Sequence, residues 1–239
     1  MNNLAEQTLG NIVANNFKAA SVFAKYHLDF CCGGKRTLTE ACIQKEIDPA
    51  DVVKALSVLT EQQKGVMPFN EMSASELISY ILIHHHFYTK QHMPLILGHL
   101  DKVAFKHGER FTYMPKVAKL FTLLQEEMLQ HMQKEERILF PAIKELERLH
   151  LEGHSAQGSF IEQPIAVMEA EHEKAGNILA QIRELTNNFT PPEDACTTFR
   201  ISLMELHEFE NNLHQHVHLE NNILFPLAEK LADTNLIHE

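Results

Sequence analysis

The phrase His131-Met132-Gln133-Lys134-Glu135-Glu136-Arg137-Ile138-Leu139-Phe140-Pro141 returns as His216-Val217-His218-Leu219-Glu220-Asn221-Asn222-Ile223-Leu224-Phe225-Pro226. Six positions agree in the pattern His-x3-Glu-x2-Ile-Leu-Phe-Pro, at one constant offset of 85 residues (131 to 216, 135 to 220). Such agreement marks an internal duplication of a helical hairpin. Around the first copy, Leu124, Met128, His131, Glu135, Ile138 and Ala142 follow the alternating steps of four and three that make a core-facing seam. Phe209, Leu213, His216, Glu220, Ile223 and Leu227 repeat it around the second. A histidine and a glutamate therefore stand in each seam where apolar residues belong. A buried carboxylate is costly unless it is paired or bound to metal. At i, i+4 the two side chains lie one turn apart and can face one ion.

Working outward, four long helices are predicted at roughly 74–106, 115–149, 162–187 and 194–232. Ser73-x-x-Glu76 is a capping box at the start of the first. Asn187, Asn188, Pro191 and Pro192 separate the last two, and the stretch 150–160 separates the middle pair. No strand-like alternation competes, so an all-α antiparallel four-helix bundle is expected. The duplication requires the first and third helices to match as well. The third carries Ile165, Met168, His172, Ala175, Leu179 and Ile182 inward. Subtracting about 85 from 172 lands at 86 or 87, at the end of the run His84-His85-His86; periodicity alone does not choose among the three, and the repeat arithmetic, an offset of 86, favours His86.

His86, His131, His172 and His216 with Glu135 and Glu220 would thus converge in four helix interiors. One inward histidine is ordinary core, but four with two glutamates at repeated spacing are not. Two metal ions with two imidazoles each, bridged by both carboxylates, satisfy every group. Nitrogen and oxygen donors without thiolate point to iron or manganese. His84, His85, His92, His99, His107, His207, His214 and His218 read as surface residues or outer neighbours of the site, and His214-x3-His218 lies off the seam.

Composition bounds the alternatives. The chain has 239 residues, 44% hydrophobic and 22% charged, which suits one large or two small globular domains. Its net charge of −11 leaves no basic excess for a nucleic-acid backbone. Its 9 glycines, against about 17 at average usage, disfavour glycine-rich nucleotide sites. No secretory leader and no membrane-length apolar run is visible, and four cysteines make no disulfide framework, so a cytoplasmic protein is expected.

Residues 1–60 read as a separate small domain of short helices, Leu9–Tyr26, Leu38–Ile47 and Ala50–Leu59, with 61–72 as a linker and 73–239 as the bundle. Between the first two helices lies Asp29-Phe30-Cys31-Cys32-Gly33-Gly34. Cys31 and Cys32 are a candidate thiol site: donors to a partner or to nitric oxide, a link between two chains of a homodimer, or inert buried residues. Cys42 and Cys196 read as small core residues.

Residues 73–232 resemble the hemerythrin-like four-helix di-iron proteins. With Cys31-Cys32-Gly33-Gly34-Lys35, Met168-Glu169-x-Glu171-His172, the run Pro191 to Thr198 and Leu219-Glu220-Asn221-Asn222, the whole chain resembles the RIC (repair of iron centres) family of iron–sulfur cluster repair proteins. In that family the first-helix ligand precedes a Leu-Pro-type pair, here Met93-Pro94, which again selects His86; the histidine that often follows one turn later is Thr89 here. The resemblance implies a non-haem, carboxylate-bridged and oxo-bridged di-iron protein. It would restore clusters damaged by nitric oxide or oxidants by delivering iron, with damaged iron–sulfur proteins as partners. An oxygen- or nitric-oxide-binding sensor, or a nitric oxide reductase, are the alternatives. Oxygen-carrying hemerythrins use five histidines and two carboxylates, so a four-histidine set leaves more coordination positions open. Glu127, one turn before His131, and Glu171, beside His172, are candidates for outer hydrogen bonding or an iron exit route.

Overall fold

The computed structural model describes residues 4–60, 67–154 and 161–233. Among them the structure is all-α, and the one β-type pairing is an isolated antiparallel bridge between Thr8 and Thr37. The chain divides into two compact units.

One unit comprises Met1–Ile78, Lys144–Ser159 and Gln215–Glu239. Here α1 (Leu9–Asn15), α2 (Ala19–Lys25), α3 (Leu38–Gln44) and α4 (Pro49–Thr60) bury Leu9, Phe23, Leu38 and Val52. The single helix expected over Leu9–Tyr26 is two. Asn16 leaves the helical region (φ −149°, ψ 95°) and its side-chain oxygen accepts the Lys18 N–H, the local competition with helix that asparagine favours. The third helix stops at Gln44 rather than Ile47, and Glu46 turns left-handed (φ 57°). Thr37 and Glu40 form a reciprocal capping box that starts α3. Of the expected linker, 61–66 lie outside the described residues and Phe69–Glu71 forms a 3-10 turn. The predicted box at Ser73 and Glu76 is present in both directions, at 2.9 and 3.2 Å. Glu147 adds to it, accepting the Ala74 and Ser75 N–H groups at 2.7 and 3.1 Å.

The other unit comprises Ser79–Ile143 and Phe160–His214. It holds α6 (Phe87–His107), α7 (Met114–Lys134), α9 (Glu162–Leu185) and most of α10 (Thr197–Leu219). The pairs show antiparallel neighbours. His85 meets Asn212 while His107 meets Cys196, and Glu127 meets Lys174 while Lys134 meets Glu171. Phe121 and Phe209, both fully buried, pack edge to face between α7 and α10 at 5.4 Å. Met168, His172, Ala175, Leu179 and Ile182 all point inward on α9.

Three helices depart from the regular pattern at one place each. Leu82–His86, Glu135–Leu139 and Glu220–Leu224 are π turns. They separate α5 (Ala74–Ile81) from α6, α7 from α8 (Phe140–Leu151), and α10 from α11 (Phe225–Asp233). In each, the next residue's N–H (Phe87, Phe140, Phe225) reaches five positions back, to Leu82, Glu135 and Glu220. One extra residue per turn moves the seam by one position. Ile138 and Ala142, expected inward, are exposed (63% for Ile138); Leu139 and Ile143 take their places. In the fourth helix Leu224 and Ala228 continue the seam, and Ile223 is buried beside them while Leu227 is half-buried. In both copies a proline, Pro141 or Pro226, follows the π turn and withholds the N–H that a regular helix needs there.

Candidate metal centre

Glu135 is fully buried at the first position of its π turn, and its two oxygens serve different neighbours. Oε2 lies 3.3 Å from Nε2 of His86, and Oε1 lies 3.3 Å from Nε2 of His131. Both imidazoles are buried, and His86 stacks on Phe140 with ring centroids 5.5 Å apart. Their outer nitrogens face carboxylates: His86 Nδ1 is 2.8 Å from Glu136 Oε1, and His131 Nδ1 is 3.0 Å from Glu171 Oε2. With the Nδ1 protons accepted by these carboxylates, each Nε2 would turn its lone pair to a cation held together with Glu135. From α9, His172 places Nε2 3.0 Å from Nε2 of His131. The ligand atoms of His131, Glu135 and His172 lie within 4.8 Å of one another. Donors about 3 Å apart are what bonds of about 2.1 Å to one ion produce.

The second copy of the phrase sits in the other unit. His216 Nε2 lies 2.9 Å from Glu220 Oε1, one turn apart, with both side chains fully buried. The donors in both units are imidazole nitrogens and carboxylate oxygens without thiolate. A buried histidine and glutamate cluster of this kind fits metal cations of hard to borderline character.

The outer carboxylates are set by opposing effects. Burial pushes Glu136 up, but hydrogen bonds from Lys90 and His86 outweigh it and hold its carboxyl below the usual range. Glu171 follows the same pattern, with Lys134 and His131 as the partners. Both are ionised acceptors at neutral pH. Glu127 lies apart from them, paired with Lys174 at 2.6 Å and one-third exposed.

Sequence reasoning missed Glu136. The signal was its position: next to Glu135 and, across the helix pair, within reach of Lys90, which lies one turn after His86. It read His85 and His218 as surface residues or outer neighbours of the site, and both are buried. His85 Nδ1 lies 3.2 Å from Asn212 Oδ1. Burial keeps the His218 ring neutral, lowering its pKa to about 4 against a smaller opposite effect from the Phe30 carbonyl. Thr89 is buried as well. Cys196 is exposed rather than core, with Sγ 3.3 Å from His107 Nε2, while Cys42 is buried as expected.

All four cysteines are free. Asp29 shapes the Cys31–Cys32 loop. One oxygen accepts the Cys31 and Cys32 N–H groups at 3.1 and 3.0 Å, and the other accepts that of Gly33 at 2.9 Å. The two Sγ atoms are 4.0 Å apart. The hydrogen bond with Cys32, burial and nearby Asp29 together push the Cys31 thiol well above the ordinary thiol range.

Residues 77–228 match the hemerythrin HHE cation binding domain, and residues 5–60 match ScdA_N, a domain of unknown function (DUF542). The chain is 37% identical over 223 residues to the iron-sulfur cluster repair protein YtfE of Enterobacter sp. (strain 638), covering 93% of this chain and 96% of that one. It is equally similar, with the same coverage, to the protein of that name from Escherichia coli O81 (strain ED1a). No helix among the described residues is long and apolar enough to cross a membrane.

Proposed function

The chain belongs to the hemerythrin-like iron–sulfur cluster repair proteins, and we propose that it restores clusters damaged by nitrosative or oxidative stress by supplying iron. The single observation that supports a metal-based reading best is Glu135, buried with one oxygen toward His86 and the other toward His131. His86, His131, His172 and His216, together with Glu135 and Glu220, are proposed as the residues that would hold two non-haem irons. Iron bound there would supply redox chemistry toward small ligands such as nitric oxide or oxygen.

The chain's own residues then have separable tasks. Glu136 and Glu171 orient the imidazoles of His86 and His131 and raise their basicity, which strengthens binding without adding a ligand. Lys90 and Lys134 keep those carboxylates ionised. Glu171 and Glu127, both partly exposed beside lysines on the α7–α9 flank, are proposed as an exit path along which iron is handed between carboxylates. A cytoplasmic setting is proposed with this role, since exposed thiols such as Cys196 stay reduced there.

The test is anaerobic incubation of the iron-loaded protein with a nitrosylated aconitase-type client, following client activity and iron bound to this protein in the same mixture. Recovery of activity with matching iron loss is expected. Iron loss with no recovery, or a purified protein holding zinc in place of iron, would contradict the proposal.

A further inference from the structure

The Cys31–Cys32 loop is fastened to the turn that carries Glu220, and one side chain makes the fastening. Asn222, two residues after Glu220 in the same π turn, directs its carboxamide Nδ2 at the Cys31 carbonyl (3.1 Å) and the Phe30 carbonyl (3.4 Å). The same nitrogen lies 3.3 Å from Nδ1 of His218. His218 is fully buried, with Phe30 edge-on at 5.9 Å and Phe17 at 6.4 Å. On the opposite side two glycines make room: a Cβ on Gly10 or Gly34 would collide with the Asn222 carboxamide oxygen. Gly10 and Gly34 are themselves joined, the N–H of the first donating to the carbonyl of the second at 2.9 Å. The carboxamide is therefore enclosed by α1, the cysteine loop and its own helix. No alternative side chain of that size offers two N–H donors to two loop carbonyls.

Such a clamp is not needed to cover apolar surface, which Phe30 and Leu9 already do. What it fixes is register: the half-exposed Cys32 and buried Cys31 stand at a set place relative to the turn of Glu220. We propose that Asn222 is a positioning residue for repair, holding the Cys31–Cys32 thiol pair in register with the turn that carries Glu220 so that the thiols meet a damaged cluster at a fixed place beside that turn. This rests on the repair function proposed above, and it makes the cysteine loop part of the working site rather than an appendage.

The experiment compares the full iron-loaded chain with Asn222→Ala, Gly34→Ala and the double variant Cys31→Ser/Cys32→Ser. Each is assayed for client repair, bound iron and iodoacetamide labelling resolved for every cysteine. Asn222→Ala should keep its iron and visible absorption, label Cys31 and Cys32 several-fold faster, and repair no faster than the double serine variant. Buried Cys42 reports general loosening, and its labelling should not change. Gly34→Ala, whose Cβ would meet both the carboxamide oxygen and the Phe30 carbonyl of the loop, should behave alike. Wild-type repair rates in the double serine variant would overturn the proposal, whatever the state of Asn222→Ala. So would wild-type labelling of Cys31 and Cys32 in Asn222→Ala. If the wild-type chain itself repairs nothing, the failure belongs to the repair function and not to Asn222.

Discussion

Nε2 of His131 lies 3.0 Å from Nε2 of His172 across the α7–α9 interface, both rings buried. Glu171 faces Nδ1 of His131 at 3.0 Å, which suits the tautomer whose inner nitrogen offers a lone pair to a cation. A cation shared by the two rings turns this approach into coordination. His172→Ala should therefore lower bound iron from about two to about one per chain, whereas Glu135→Ala, which faces His86 as well as His131, should remove both. Metal analysis after anaerobic loading decides it, and full iron in either variant refutes the ligand assignment.

Glu136 and Glu171 touch imidazoles through the nitrogens that face away from Glu135. Glu136→Gln and Glu171→Gln should each weaken iron affinity by about 10–100-fold, the usual cost of losing a carboxylate behind a ligating histidine. Circular dichroism should show the helices intact. Competition with a chelator measures the affinity, and wild-type retention by both variants would show that these contacts do not tune the site.

The π turn at Glu135–Leu139 makes a sharper prediction. Ile138 is exposed, and deleting it restores regular helical spacing, so that the residues now numbered Leu139 and Ile143 fall on the ordinary seam. The deletion variant should fold and stay helical yet lose most of its iron, because Glu135 no longer presents its two oxygens as it does now. A variant that keeps both fold and metal would show that the π turn is incidental.

Cys31 and Cys32 should differ in chemistry although they are adjacent. The Cys31 thiol is pushed well above the ordinary range by Cys32, burial and Asp29, so little of it is thiolate at neutral pH. Since the thiolate is the nucleophile, alkylation of Cys31 should stay slow near pH 7.5 and rise about tenfold per pH unit up to its pKa. Site-resolved mass spectrometry reads this directly. Labelling of Cys31 near pH 7.5 at the rate of a free cysteine would contradict it.

The fold class and the burial of His86, His131, Glu135, His172, His216 and Glu220 were legible because the duplicated phrase puts polar groups on an apolar stripe, which a helical period exposes directly. The same period misplaced Ile138 and Ala142, since a π turn adds a residue that no 3.6-residue template contains. In retrospect the three consecutive apolar residues Ile138-Leu139-Phe140 ahead of Pro141 are its trace. Glu136 was missed because its role depends on reaching across a helix pair to His86, a tertiary relation without sequence spacing. His218 and Asn222 were missed for a similar reason: their partners, Phe30 and Cys31, are about 190 residues away. The split at Asn16 turned on one side chain competing for a backbone N–H.

Iron supply is tested most directly by loading the protein with isotopically labelled iron and repairing a nitrosylated client that carries unlabelled iron. Label should appear in the client's restored cluster in step with its activity. Restored activity with every label still on this protein would contradict iron donation and leave repair to proceed by another chemistry.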